Sequence, residues 1–316
     1  MLLKLFLLSF LSIQISCEQK ASLAFVIDNS VVSVGDMYKV KSYAKDMVNM
    51  ILNEVLIDDI LVITFNEPEI TRTMTQDVRL VRKAFDLIDG KSDKVGPEMA
   101  LSGIVKALQE SQGGSYLYVF THSSAKDYDR VEEVKALCRG KKSKIFFIVT
   151  ENGQASNRHM DIMDDIYNDI TVECGGEVIR TNSNKLDKTF QYIRESVKVA
   201  KNVIKSTLLP ESQRIEIKFN KRESNDYVLV SASGKDVELR VFDEKGNSIG
   251  NYVTWIDNLK ALKLEHVPNG EITVKARSTR NGHLAVFGHI PVPAQPGIPR
   301  DDTRKLRRYG YHYLTL

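Results

Sequence analysis

Residues 22–30, SLAFVIDNS, decide the reading of this chain. An apolar run from 22 to 27 ends abruptly in three oxygen-bearing side chains, Asp28, Asn29 and Ser30. A half-buried strand alternates apolar with polar residues, whereas a strand covered on both faces reads as a continuous apolar run. Residues 22–27 are therefore predicted as a central parallel strand whose carboxyl end presents polar groups.

Working outward, similar runs recur at 60–65 (ILVITF), 116–120 (YLYVF), 145–149 (IFFIV) and 177–180 (EVIR). Helical spacing lies between them. Val40, Ala44, Met47, Ile51 and Val55 form one apolar stripe, and Leu186, Phe190, Ile193, Val197, Ala200 and Ile204 form another. Shorter helices are predicted near 77–89, 97–111, 127–138 and 160–170. Strand–helix alternation means a doubly wound α/β domain with a mostly parallel sheet, placed at 20–206. The segment EITRTMT (69–75) alternates and is predicted as an antiparallel edge strand.

After 208–210 the pattern changes. Seven short alternating strands are predicted between 213 and 290, separated by turn signals such as SGKD at 233–236 and RNGH at 280–283. This argues an all-β sandwich at 211–291. Trp255, the only tryptophan, is expected in the core or packed rim of that domain. The remainder, 292–316, is Pro-rich, then basic, then aromatic, and is read as a disordered tail. It is read first as a solvated basic tail for polyanion contact or solubility; cleavage by a secretory-pathway protease near Arg307-Arg308 is the alternative.

At the other end, Lys4 precedes an apolar run from Leu5 to Leu11, with small residues up to Cys17. This is the layout of a secretory signal peptide at 1–17, too short for a membrane span. The chain is accordingly expected outside the cell, with no membrane span. Of the formal net charge of +3, Lys4 and the tail from Gln295 carry the excess, so the body is close to neutral. That excludes a broad basic field for nucleic acid. Three cysteines make no disulfide framework. With Cys17 in the signal region, Cys138 and Cys174 are either a disulfide or two buried thiols. No Asn-x-Ser/Thr acceptor occurs.

Ligands of an open parallel sheet bind beyond the carboxyl ends of its strands. Those ends hold Asp28-Asn29-Ser30 and Thr121-His122-Ser123-Ser124, with Glu98 in the loop before a helix. Here a family resemblance emerges. LAFVIDNS resembles the first strand of von Willebrand A domains, whose D-x-S-x-S motif holds a divalent metal at an adhesion site. ITFNEPEI, TQDVRLVRKAFDLI, GPEMALSGIVKALQES and GSYLYVFTHSSAKDY resemble the variant of the amino-terminal region of hemicentins, which carry a β-rich segment after this domain.

The resemblance implies a von Willebrand A-like fold and contact with a partner through Asp28, Ser30, Glu98 and His122. It also implies a metal site at Asp28 and Ser30, but the pattern is broken. Val32 offers no oxygen where a second Ser belongs, and Val95 stands where the variant carries Asp, though Asp93 and Glu98 are near. His122 stands where the family has Asp, and imidazole suits Zn²⁺ or Cu²⁺ better than Mg²⁺. A vestigial site is expected and no cofactor, with Mg²⁺ or Ca²⁺ binding as the alternative.

Catalysis is disfavoured. Ser30 or Ser123 beside His122 and Asp28 would suggest a hydrolase, but no G-x-S-x-G elbow is present. Gly113-Gly114 and Gly175-Gly176 precede strands and open no helix, so they read as turns and not as phosphate loops. DIMDDIYND (161–169) lacks the order of a calcium loop and reads as a solvated helix face. The expectation is a secreted, non-enzymatic protein that binds an extracellular or matrix protein. An intact Mg²⁺- or Ca²⁺-dependent adhesion module and a self-assembling matrix component remain as alternatives.

Overall fold

The computed structural model describes residues 21–30, 34–54, 57–66, 69–90, 99–150, 157–182, 184–199, 202–220, 226–266 and 270–289. The signal-peptide reading, the 292–316 tail, and Val32, Asp93, Val95 and Glu98 lie outside these residues. The opening run becomes β1 (Ala21–Asp28), every residue of it buried. It pairs in parallel with β2 (Ile57–Asn66) and β4 (Tyr116–Thr121). Beyond β4 lie β5 (Lys144–Thr150) and β6 (Glu177–Thr181), also parallel. At the far edge, β3 (Glu69–Thr75) pairs antiparallel with β2, giving the order β3-β2-β1-β4-β5-β6.

Alternation along β1 distributes its side chains between two helical layers. Phe25 and Ile27 share one core with α1 (Val34–Glu54), α2 (Val78–Leu87) and α6 (Leu186–Val199), including Met47, Phe85 and Ile193. Phe85 meets Phe25 edge-on at 5.2 Å. Ala24 and Val26 face the other way, toward α3 (Ala100–Glu110), α4 (Val131–Lys141) and α5 (Asn157–Cys174). There Leu101, Ile104 and Tyr167 complete the second core. The Gly175-Gly176 turn leads from α5 into β6. Gly175 has φ +71°, and a Cβ at Gly176 would lie 1.6 Å from the Ile145 carbonyl oxygen, so only glycine fits.

Cys138 of α4 and Cys174 of α5 form a disulfide with Cα atoms 5.7 Å apart, which resolves the choice left open by the sequence. The bridge closes a loop of sequence separation 36, worth about 3–4 kcal/mol by loop entropy.

The remaining strands form two antiparallel sheets. One has the order β11 (Asn251–Ile256), β12 (Leu259–Glu265), β9 (Tyr227–Ser233), β14 (Gly282–His289) and β7 (Val203–Leu209). The other is β10 (Glu238–Phe242), β13 (Glu271–Arg277) and β8 (Arg214–Asn220). Val230, Leu264, Leu284 and Val286 pack against Leu239, Val241, Ile272 and Val274 between them.

The chain departs from the sequence expectations here. The helical stripe was extended to Ile204, but α6 ends at Val199 and Val203–Leu209 is a strand paired with β14. The five-stranded sheet is also covered on its second face. Leu229, Ile256, Ala261 and Phe287 join the same core as α1 and α6. Of the two places expected for Trp255 the structure shows the rim: it stands 47% exposed on edge strand β11, edge-on to Tyr252 and with the Lys260 ammonium 4.0 Å above its ring.

Candidate functional site

The strand order reverses between β1 and β4, so their carboxyl ends flank the crevice where such sheets take ligands. Asp28 closes β1 and Thr121 closes β4, and the backbone turns immediately after each. Asn29 anchors the first turn. Its N–H donates to the Phe65 carbonyl at 2.9 Å, and its side-chain oxygen accepts from Gly90 N–H at 3.0 Å.

This geometry brings Asp28, Ser30 and His122 together. Asp28 Oδ1 accepts from the Ser30 N–H at 2.9 Å and from the Ser30 hydroxyl. Asp28 Oδ2 accepts from the Thr121 hydroxyl at 3.1 Å and lies 3.1 Å from His122 Nδ1. The carboxylate is 1% exposed and the His122 side chain 9%. Burial alone would push the Asp28 pKa up. The hydrogen bond and charge of His122, with the two Ser30 hydrogen bonds, outweigh that and hold it below the ordinary carboxylate value.

The second loop is held from behind. Thr121 Oγ1 lies 3.2 Å from the Ser123 carbonyl oxygen, which also accepts from the buried Tyr167 hydroxyl at 3.1 Å. Thr121 and Tyr167 are the residues that sequence reasoning passed over. Thr121 could have been found, because it shares the strand end with His122. Tyr167 arrives from α5, on a segment read only as a solvated face.

An ionised carboxylate has about four acceptor positions. At Asp28 they face Ser30 N, Ser30 Oγ, Thr121 Oγ1 and His122 Nδ1, all of them protein groups. A hard cation needs several oxygens aimed inward. Among the described residues no cluster of three or more His, Cys, Asp or Glu side chains could hold a metal ion. Asp28, Ser30 and Thr121 offer oxygens at this point, and His122 contributes a nitrogen that hard cations disfavour. Glu98 and Asp93, which could have added to the oxygens, fall outside the described residues. These groups do not form a nucleophilic triad. Ser30 donates its hydroxyl to Asp28 and not to His122, and Ser123 Oγ is buried without a hydrogen-bond partner.

Comparison with known proteins agrees with this frame. Hemicentin-1 of Mus musculus is 24% identical over 300 residues, and hemicentin-1 of Homo sapiens 24% over 301, each match covering 92% of this chain. Hemicentin-2 of Mus musculus is 25% identical over 232 residues, 72% of the chain. The chain spans about 5% of the length of the hemicentin-1 relatives. Among solved structures, the human COPII-coat protein Sec24c aligns with a TM-score of 0.41 and 10% identity, over 86% of this chain and 43% of that one. Residues 22–183, just over half of the chain, match the sequence profile of the von Willebrand factor A domain. The chain belongs to the von Willebrand factor A domain family and resembles the hemicentins.

Proposed function

We propose that this is a secreted, non-enzymatic adhesion protein of the extracellular matrix that recognises a protein partner without a bridging cation. Contact is made at the carboxyl end of the sheet, around Asp28, Ser30, Glu98 and His122. One observation carries the reading: the acceptor positions of Asp28 already face Ser30, Thr121 and His122. In a metal-dependent adhesion site, the ion is completed by a carboxylate from the partner. Here the His122 imidazole stands beside Asp28, and in this reading recognition rests on shape and hydrogen bonding across the rim of the crevice. The hemicentin relatives and the disulfide support an oxidising, extracellular setting.

The test is calorimetric titration of the secreted chain with Mg²⁺, Ca²⁺ and Zn²⁺, beside a His122→Asp, Val32→Ser double variant. Native protein is expected to give no heat with Mg²⁺ or Ca²⁺, while the variant, its oxygens restored, binds Mg²⁺. Tight Mg²⁺ binding by the native chain would overturn the cation-free reading.

A further inference from the structure

The outer face of the three-stranded sheet sets cations side by side on a fixed framework. Register places Arg240 directly across from Lys275, and Arg277 directly across from Arg214. Like charges facing each other across neighbouring strands destabilise a sheet. These four side chains, with Phe242 and Glu238, line a cavity of about 220 Å³. The same register sets Glu238 across from Arg277 and Glu216 across from Lys275, and Glu238 lies 3.8 Å from Arg214 and 4.0 Å from Arg277. Lys275 reaches Glu216 at 3.1 Å, and among the described residues Arg240 has no carboxylate within ion-pair distance.

Charged side chains on edge strands often serve only to prevent edge-to-edge pairing. That explanation covers β8 and β10 but not β13, the central strand, which contributes Lys275 and Arg277. Glu216 and Glu238 answer part of that charge on β13, and an anionic occupant would relieve the repulsion that remains between Arg240 and Lys275 and between Arg277 and Arg214.

We propose that this face binds a sulfated polysaccharide. Guanidinium forks match oxyanions in pairs of hydrogen bonds, and three of the four cations are arginines. Two cross-strand rows, each with two adjacent cations and one carboxylate, leave the face with an excess of positive charge that suits a polymer of repeated negative charges. The face is poor in the buried aromatic and aliphatic anchors that dominate protein–protein recognition, with Phe242 alone in the cavity apart from Ala276. The choice of a sulfated polymer over a nucleic acid rests on the extracellular reading above. If the chain proved not to be secreted, that choice would fall while the anion binding measured below would stand.

The test uses the full chain titrated with a heparin octasaccharide over a range of salt concentrations. Saturable binding is expected, weakened about tenfold or more in Arg240→Gln, Lys275→Gln, with the salt slope of log affinity reduced by about two. The same variant should leave the melting temperature nearly unchanged, because relief of the Arg240–Lys275 repulsion offsets loss of the exposed Lys275–Glu216 pair. A second variant, Arg304→Ala, Lys305→Ala, Arg307→Ala, Arg308→Ala, is expected to retain most of the binding. The proposal is overturned if the sheet variant binds like the native chain, or if the tail variant alone abolishes binding. Equal binding of desulfated heparin would also overturn it. So would Arg240-dependent binding to phosphatidylserine vesicles in place of the octasaccharide.

Discussion

Two buried carboxylates in this protein behave in opposite ways. Asp28, at the crevice, faces two Ser30 groups, the Thr121 hydroxyl and His122, and its pKa is depressed. Glu177 lies where β6 and α6 meet β9 of the sandwich, fully buried. Its Oε2 accepts from the Tyr192 hydroxyl, which lies 3.0 Å from Ser231 Oγ. Its Oε1 has no hydrogen-bond partner. Burial pushes the Glu177 pKa up to about 7, and the hydrogen bonds from Tyr192 and Ser231 do not offset it. Donor supply, more than depth, decides which carboxylate stays ionised.

The largest break in this contrast is Asp28→Asn. The amide presents donors where donors already stand, leaving buried groups unsatisfied, and a loss of about 3 kcal/mol is expected in urea unfolding at neutral pH. A loss under ~1 kcal/mol would mean that the Asp28 cluster is not the polar keystone of the crevice.

Glu177 gives the next effect, through pH. Its proton is held in the folded state and lost in the unfolded state between the ordinary value of 4.5 and about 7. Native stability should therefore fall as pH rises through that window, by roughly 3 kcal/mol in total, and level off above it. Asp28 acts in the opposite sense: its contribution is full above the ordinary carboxylate range and is lost as pH falls through its depressed folded value. Glu177→Gln should flatten the upper window and leave the acid limb intact. Unfolding curves at closely spaced pH values would show this, and a native curve flat from pH 4.5 to 7 would erase the difference between the two sites.

The smallest effect sharpens the cause. Tyr192→Phe removes a donor that lowers the Glu177 pKa, so the levelling-off point should move to higher pH. About 1 kcal/mol of stability should be lost with the hydrogen bond. An unmoved midpoint would show that Tyr192 does not tune the carboxylate.

The crevice was legible in the sequence, and the junction was not. Residues 22–27 announce their burial because both faces of β1 are covered by helices that follow nearby in the chain. Asp28, Ser30 and His122 could be placed together because strand ends are positions a sequence reveals. Glu177 opens a short run, EVIR, and looks like an ordinary strand-entry residue. It is buried by β9, fifty residues later, through packing that no local pattern records. The same cause hid the second covered face of the five-stranded sheet. Ile204 extends a helical stripe by coincidence of spacing, although it stands at a register irregularity of β7, half-buried against the core between the two antiparallel sheets. Cys138 and Cys174 gave no sign of their Cα separation, which depends on α4 and α5 lying side by side.

The shared core between the helices and the five-stranded sheet has a mechanical consequence. Separating the two units would expose Leu229, Ile256 and Phe287 to water together with Tyr192 and Ile193. Bending between the two units therefore costs burial of apolar surface, so the junction is expected to behave as a strut and not as a swivel.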